Sequence, residues 1–324
     1  MKLRHALAGT VALPLALAIA SSANAATIVD NDDQTLKIGG FVAAQHAFSL
    51  NDAEATEDDH AMSLGTSRLN ITHTKKTADG DITIMYENDW AGNKLDKDGD
   101  PAGDYRLRHA VIMYDGWVAG QTWSFFSNLN GLGETIEPNG NAVKSAATAR
   151  NAVVGKNITL AEGMSVGVSL EDRGLSAEDM TPDIAANFKG DFGGIGVFAA
   201  VQSYATGADR EMRMTGSVAI PAGPATVKAA FTNDVDDMWV SAAAQFKATD
   251  SVRANLVVEQ AMMDGDNEDY TAIWANAIYT TPVGMEWGAE VGTVSADGTN
   301  APALATGGKA DGDMTVRLQA RYAF

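Results

Sequence analysis

The sequence predicts an all-β chain: a transmembrane, antiparallel up-and-down β-barrel of about sixteen strands. Three observations carry that expectation. Short segments alternate apolar and polar residues, the connections between them differ in length in a regular way, and the last segment ends on an aromatic residue.

The last segment shows the alternation best. Met314, Val316, Leu318, Ala320, Tyr322 and Phe324 fall on one face, and Thr315, Arg317, Gln319 and Arg321 on the other, because a strand points neighbours to opposite sides. A final strand ending in Phe324, with Tyr322 two residues before it, resembles the C-terminal assembly signal of outer-membrane barrels. The same dyad recurs in Ile82, Ile84 and Tyr86 against Thr83, Met85 and Glu87. It returns in Val252, Ala254, Leu256 and Val258 against Arg253, Asn255 and Glu259, and in Met285, Trp287, Ala289 and Val291 against Glu286 and Glu290. From Tyr270 to Thr280 the contrast is poor and the register is not fixed by pattern.

Connections supply the second signal. Tight ones fall at Thr77–Gly80, Asp115-Gly116, Pro221–Pro224, Lys247–Asp250 and Thr281–Gly284, and longer acidic ones at residues 49–61, 91–103, 125–146, 173–182, 263–269 and 295–312. Short turns at one end and long loops at the other mark a membrane barrel with periplasmic termini. A soluble sandwich or barrel does not require that asymmetry, and a solenoid would show a short fixed repeat that is absent here. Phe48, Trp90, Tyr105, Tyr114, Trp117 and Tyr279 lie near strand ends, as interfacial girdles require.

The first 25 residues set the compartment. Lys2 and Arg4 precede a small apolar run from Ala6 to Ala20, and Ala23-Asn24-Ala25 forms a cleavage signal before Ala26. Residues 1–25 are thus expected to be a secretory signal peptide, and 26–324 one outer-membrane barrel domain. The apolar run, broken by Pro14, is shorter than the ~20 residues a spanning helix needs. No cysteine is present, so disulfides do not hold this exported chain. Mean hydropathy is only -0.11, which does not exclude a barrel, whose membrane face uses every second residue.

The formal charge of -19 becomes -21 without the leader, since Lys2 and Arg4 leave with it. An acidic chain is a poor partner for nucleic acid. Acidic loops, including Asp52, Glu54, Glu57, Asp58 and Asp59, suit hydration or divalent cations shared with lipopolysaccharide. Asp96-Lys97-Asp98-Gly99-Asp100 opens like a calcium loop, but Pro101 and Leu107 stand where such a loop needs glycine and glutamate. No metal or cofactor is expected.

Candidate functional residues centre on Tyr105–Ser124. Arg106 and Arg108 share a face, opposite Leu107, His109, Val111 and Met113, so the arginines should point into the lumen. Arg68 and Arg150 are expected beside them, with Gln121 also lining the pore. Guanidiniums offer a fixed donor fork to carboxylates and phosphates. Loop 125–146 is expected to fold inward, placing Glu134 and Glu137 across the lumen from the arginines in a transverse field. On this register Lys189, Arg213, Lys228, Arg253, Arg317 and Arg321 also face inward, with acids Glu87, Asp89, Glu211, Glu259, Glu286 and Glu290 among them.

The arginine-rich strand followed by Gly120-Gln121-Thr122-Trp123-Ser124 resembles the DcaP-like family of Gram-negative porins. The resemblance extends through Glu134-Thr135-Ile136-Glu137, Arg150 and Pro182-Asp183-Ile184-Ala185. It implies a trimeric, sixteen-stranded porin associated with small anionic solutes such as dicarboxylates. Only Ala26 to Gln34 precedes the barrel, whereas family members often carry a periplasmic coiled coil there.

The expected function is therefore passive diffusion of small polar solutes across a Gram-negative outer membrane, with weak preference for anions. The competing readings are a non-conducting structural or adhesive barrel, and a lipid-modifying enzyme of the outer membrane. The enzyme is disfavoured because none of His46, His60, His73 and His109 has a recognisable Ser and acid partner in the sequence.

Overall fold

The computed structural model of the protein describes residues 25–50, 60–91, 105–137, 144–174, 181–206, 209–264, 269–296 and 314–324. The leader through Asn24, the acids from Asp52 to Asp59 and the Asp96–Asp100 pattern lie outside the described residues.

The strands are β1 (Ala26–Asp30), β2 (Gln34–Ser49), β3 (His60–Ser63), β4 (Arg68–Lys75), β5 (Ile82–Asp89) and β6 (Arg106–Tyr114). They continue with β7 (Trp117–Trp123), β8 (Arg150–Ala161), β9 (Met164–Asp172), β10 (Asp183–Phe192), β11 (Ile195–Thr206) and β12 (Asp209–Ala222). The last six are β13 (Ala225–Asp234), β14 (Asp237–Lys247), β15 (Val252–Met262), β16 (Tyr270–Thr280), β17 (Met285–Ala296) and β18 (Met314–Ala323). Each pairs antiparallel with the next except β3 and β4, and β18 pairs with β2 from Thr315↔Ser49 to Ala323↔Phe41. Since β3 and β4 both follow β2, at Gln45↔Ser63 and Phe41↔Arg68, they count as one wall strand. The result is a closed barrel of sixteen strands, in which no edge is left open to lipid.

Closure is finished by the last residue. Phe324 donates its N–H to the Gly40 carbonyl and accepts from the Gly40 N–H, both at 3.0 Å. Strand β1 pairs with the lower part of β2, at Ala26↔Ile38, and so takes up the lane that β18 leaves.

The amphipathicity is inverted relative to a water-soluble protein. Ile84, Ile112, Val154, Leu170, Val201, Met214, Leu256, Val291 and Leu318 are exposed, while Gln45, Asn70, Glu87, Glu171, Gln202, Asn255, Glu259 and Glu290 are buried. Apolar side chains meet lipid and polar ones fill the interior, as a membrane barrel requires. Each tight turn anticipated from sequence is present between strands. At Asp115 (φ 47°) and Gly116 (φ 77°) both residues are left-handed, the geometry of a two-residue hairpin whose twist matches its strands.

Two departures from simple alternation shape the interior. Strand β6 is bulged against β5: Glu87 faces His109 and Asn88 faces Leu107, leaving Arg108 as the extra residue. Beyond the bulge the faces exchange, so His109 and Val111 are buried inside, whereas the alternation expected them outside. Strand β6 also parts from β7, since their ladder ends at Ala110↔Gln121 while β7 continues to Trp123 against Arg150 of β8.

The poor contrast of β16 also has a cause. Its inward residues Tyr270, Ala272 and Trp274 belong to an apolar cluster with Ala243, Val257 and Val294. Gly133 of the inward loop packs on Val257 and Ala243. Both faces of β16 are therefore apolar.

Candidate functional site

The chain between β7 and β8 does not stay outside. Its described parts, 124–137 and 144–149, run along the inner wall from β9 round to β2. Phe125 and Phe126 pack with Val153, Ala185, Phe198 and Ala200, and a 3-10 turn at Leu129–Gly131 follows. Asn128 donates to Thr215 Oγ1 at 3.0 Å, and Asn130 donates to the Gly196 carbonyl at 3.2 Å.

Three wall carboxylates hold the loop by its backbone. Glu171 accepts the Phe125 N–H at 2.7 Å, together with the Ser169 hydroxyl and the Asn151 amide. Glu290 accepts the N–H groups of Ile136 and Glu137, both at 2.7 Å. Glu259 accepts the Ser145 N–H at 2.9 Å and its hydroxyl at 2.8 Å. Charge-assisted bonds of this type are among the stronger ones in proteins.

The wall beneath the loop is small. A Cβ on Gly133 would lie 2.3 Å from Val257 Cγ2, one on Gly155 2.9 Å from Phe125 Cζ, and one on Gly288 2.6 Å from Ile136 Cδ1. Glycines on wall and loop thus form a furrow in which the loop lies flat.

The loop carboxylates do not face the arginines of β4–β6. Glu134 accepts from Arg253 Nε at 2.9 Å, and Glu137 pairs with Arg317. Both arginines belong to the wall against which the loop lies. The transverse arrangement expected from sequence is replaced by local pairing, since a carboxylate on an adhering loop finds the nearest guanidinium.

The arginine cluster stands on β4, β6 and β8. Arg106 is bidentate to Asp89, at 2.8 and 2.6 Å. Arg108 donates to Glu87 Oε1 at 2.7 Å and to Asp89 Oδ2 at 2.9 Å. Arg68 stands 3.9 Å from Glu87 and lies over the Phe41 ring, and its buried Nε has no partner among the described residues. Arg150 lies 4.4 Å over Trp123. Three guanidiniums therefore share two carboxylates, Glu87 and Asp89, which are 0% and 1% exposed, and Arg150 joins the group without an ion pair to either. The side chain of Arg106 is 40% exposed and that of Arg108 only 6%, so Arg106 presents the cluster to the lumen.

The sequence-predicted residues Arg68, Arg106, Arg108 and Arg150 are thus brought together. Gln121 is spent differently: its amide donates to the Leu107 carbonyl at 2.7 Å, replacing the ladder bond lost where β6 and β7 part. His109 pairs with the Thr122 hydroxyl at 3.0 Å in the same fork. The clamps Glu171, Glu259 and Glu290 were not foreseen as such, since their partners are remote in sequence. Tyr322 and Phe324 lie at the end of β18, beside the closure seam.

Residues 29–180 match the model of the DcaP outer membrane protein family. That stretch is 152 of the 324 residues, and over it the chain is similar to that family. Among solved structures, the chain resembles the outer membrane channel DcaP of Acinetobacter baumannii at 22% identity, covering 92% of this chain and 100% of that one, with a TM-score of 0.72. It resembles OmpF of Salmonella typhi, solved with daunomycin, at 13% identity, covering 91% and 99%, with a TM-score of 0.70. It also resembles an anion-selective porin from Comamonas acidovorans at 14% identity, covering 90% and 100%, with a TM-score of 0.67. At such identities the likeness establishes fold alone. A comparison with curated protein sequences gives no match. The fold and the partial family match place this barrel in the Gram-negative outer membrane.

Proposed function

We propose that this barrel passes small polar solutes by diffusion with weak preference for anions such as carboxylates. The observation that carries this reading is a cluster of four arginines around two carboxylates, while Glu134 and Glu137 are engaged by Arg253 and Arg317 on other strands. A surplus cation in a confined lumen is costly to leave uncompensated and lowers the free energy of a passing anion. The acidic external loops oppose this, but their field falls off within ~8 Å at physiological salt, so the constriction decides.

The protein is a homotrimer in this reading, supported by the family and by the trimer form described for OmpT of Vibrio cholerae. It is exported by cleavage after Ala25, and its acidic loops meet lipopolysaccharide through divalent cations.

The test is single-channel conductance in a planar bilayer, with reversal potential under a salt gradient. The expected result is stepwise conductance with a reversal potential favouring anions. Replacing Arg106→Ala together with Arg108→Ala leaves Glu87 and Asp89 facing only Arg68 and Arg150, and anion preference should vanish. Unchanged selectivity in that double variant overturns the assignment, and a silent bilayer from folded protein favours the structural barrel.

A further inference from the structure

We infer that Lys189 and Lys228 form a second anion contact of the pore, below the inward loop and on the wall facing the arginine cluster. The inference rests on the porin reading above and extends it to a separate pair of residues.

Both lysines alternate inward. Lys189 follows buried Asp183, Ala185 and Asn187 on the inner face of β10, and its Nζ lies 6.0 Å from the Phe125 ring of the loop. Lys228 precedes buried Ala230 and Thr232 on the inner face of β13. Its Nζ donates to the Leu132 carbonyl at 2.7 Å, leaving two of its three N–H groups for other acceptors. Counted from β2 around the sixteen-strand wall, β5 is third and β13 eleventh. Half a circuit separates them, so Lys228 stands opposite the strand that carries Glu87 and Asp89.

Neither lysine has a carboxylate of its own among the described residues. The acid nearest in charge to Lys228 is Glu134, which is engaged by Arg253 at 2.9 Å. Asp191, at the lower rim of β10, uses Oδ1 to accept the Gly194 N–H at 2.9 Å in the turn. Lys247, at the rim of β14, is paired with Asp250 at 2.8 Å. Most inward arginines are paired with acids; among the described residues these two ammonium groups have no carboxylate partner, and their contacts are the Leu132 carbonyl and the Phe125 ring.

Their depth sets them apart from the arginines. Each lies three residues from the periplasmic end of its strand, next to Phe192 in one case and Ala225 in the other. At ~3.3 Å per residue and a tilt of ~45° that is about 7 Å above the strand ends. Arg108 lies six residues from the end of β6, about 14 Å up on the same estimate. The axial offset is close to the Debye length of ~8 Å at physiological salt, so the two sets act in succession. An anion released by the arginines meets the lysines before it reaches the periplasm. The ligand class is any small anion, with chloride as the probe.

The absence of cysteine from the chain allows a charge-swap test. Lys189→Cys and Lys228→Cys channels, inserted and conducting, are treated with a disulfide-forming ammonium reagent or a disulfide-forming sulfonate reagent. Removing one unit charge about 8 Å from a passing ion, with its field screened at physiological salt, should lower the chloride-to-potassium permeability ratio about twofold. The ammonium reagent should restore the ratio, and the sulfonate reagent should lower it further. Both should react faster when added from the periplasmic side. Lys189→Gln read in the same way covers a cysteine variant that does not insert. If the parent channel prefers anions but neither the variants nor the reagents move the ratio, this inference fails alone. It fails equally if the reagents do not react, because a side chain on the water path must. If the parent channel shows no anion preference, the reading of the arginine cluster fails as well.

Discussion

Glu171, Glu259 and Glu290 determine where the loop lies, and they do so one hydrogen bond at a time. Glu290 is the most demanding of them, since its two oxygens accept the adjacent N–H groups of Ile136 and Glu137 and Oε2 also accepts from Asn276 at 2.9 Å. Glu290→Ala would strand two buried donors, at about 1–3 kcal/mol each. The barrel should still fold, because its ladders are untouched, but single-channel current should become noisy as the loop segment detaches and returns. Glu290→Gln keeps one acceptor oxygen and should be intermediate. Recordings as quiet as those of the parent in Glu290→Ala would show that the clamp is not needed. The sequence could place Glu259 and Glu290 on inward faces, because alternation fixes parity. It could not show that each serves a backbone segment more than a hundred residues away.

At the scale of elements, loop and wall are matched in volume. Gly133 touches Val257 and Ala243 so closely that a Cβ would sit 2.3 Å from Val257 Cγ2. Gly133→Ala should lift that part of the loop toward the pore axis and lower conductance. Adding Val257→Ala, which removes the obstructing methyls, should restore it in part. Additive losses in the double variant would argue against a shared contact. The same match explains what could be read beforehand. Strands β5, β15, β17 and β18 were legible because each turns charged side chains inward, among them Glu87, Glu259, Glu290 and Arg317. The face of β16 was not, because Trp274 and Ala272 lie in the cluster that packs against the loop. The reversal of His109 escaped for a different reason: one extra residue at Arg108 exchanges all faces beyond it, and no local composition signals a bulge.

For the whole molecule, closure rests on the seam between β18 and β2. Deleting Phe324 removes the two bonds it makes with Gly40 and the aromatic that ends the strand. Less protein should then reach the heat-modifiable folded form on a gel, while any barrel that closes should conduct normally. Normal yield would show that the remaining β18–β2 ladder suffices. The barrel and its strand number were legible because they follow from period and connection length. The division of charge was not, because it depends on which wall the loop chooses.

That choice has a consequence for how such a channel changes over generations. The loop rests on side chains that never meet the solute. A methyl gained or lost at Val257, Ala243 or Ala230 would therefore raise or lower the loop without altering its sequence. Bore becomes a heritable property of residues that look like ordinary packing. Two channels with identical constriction loops need not admit the same molecules.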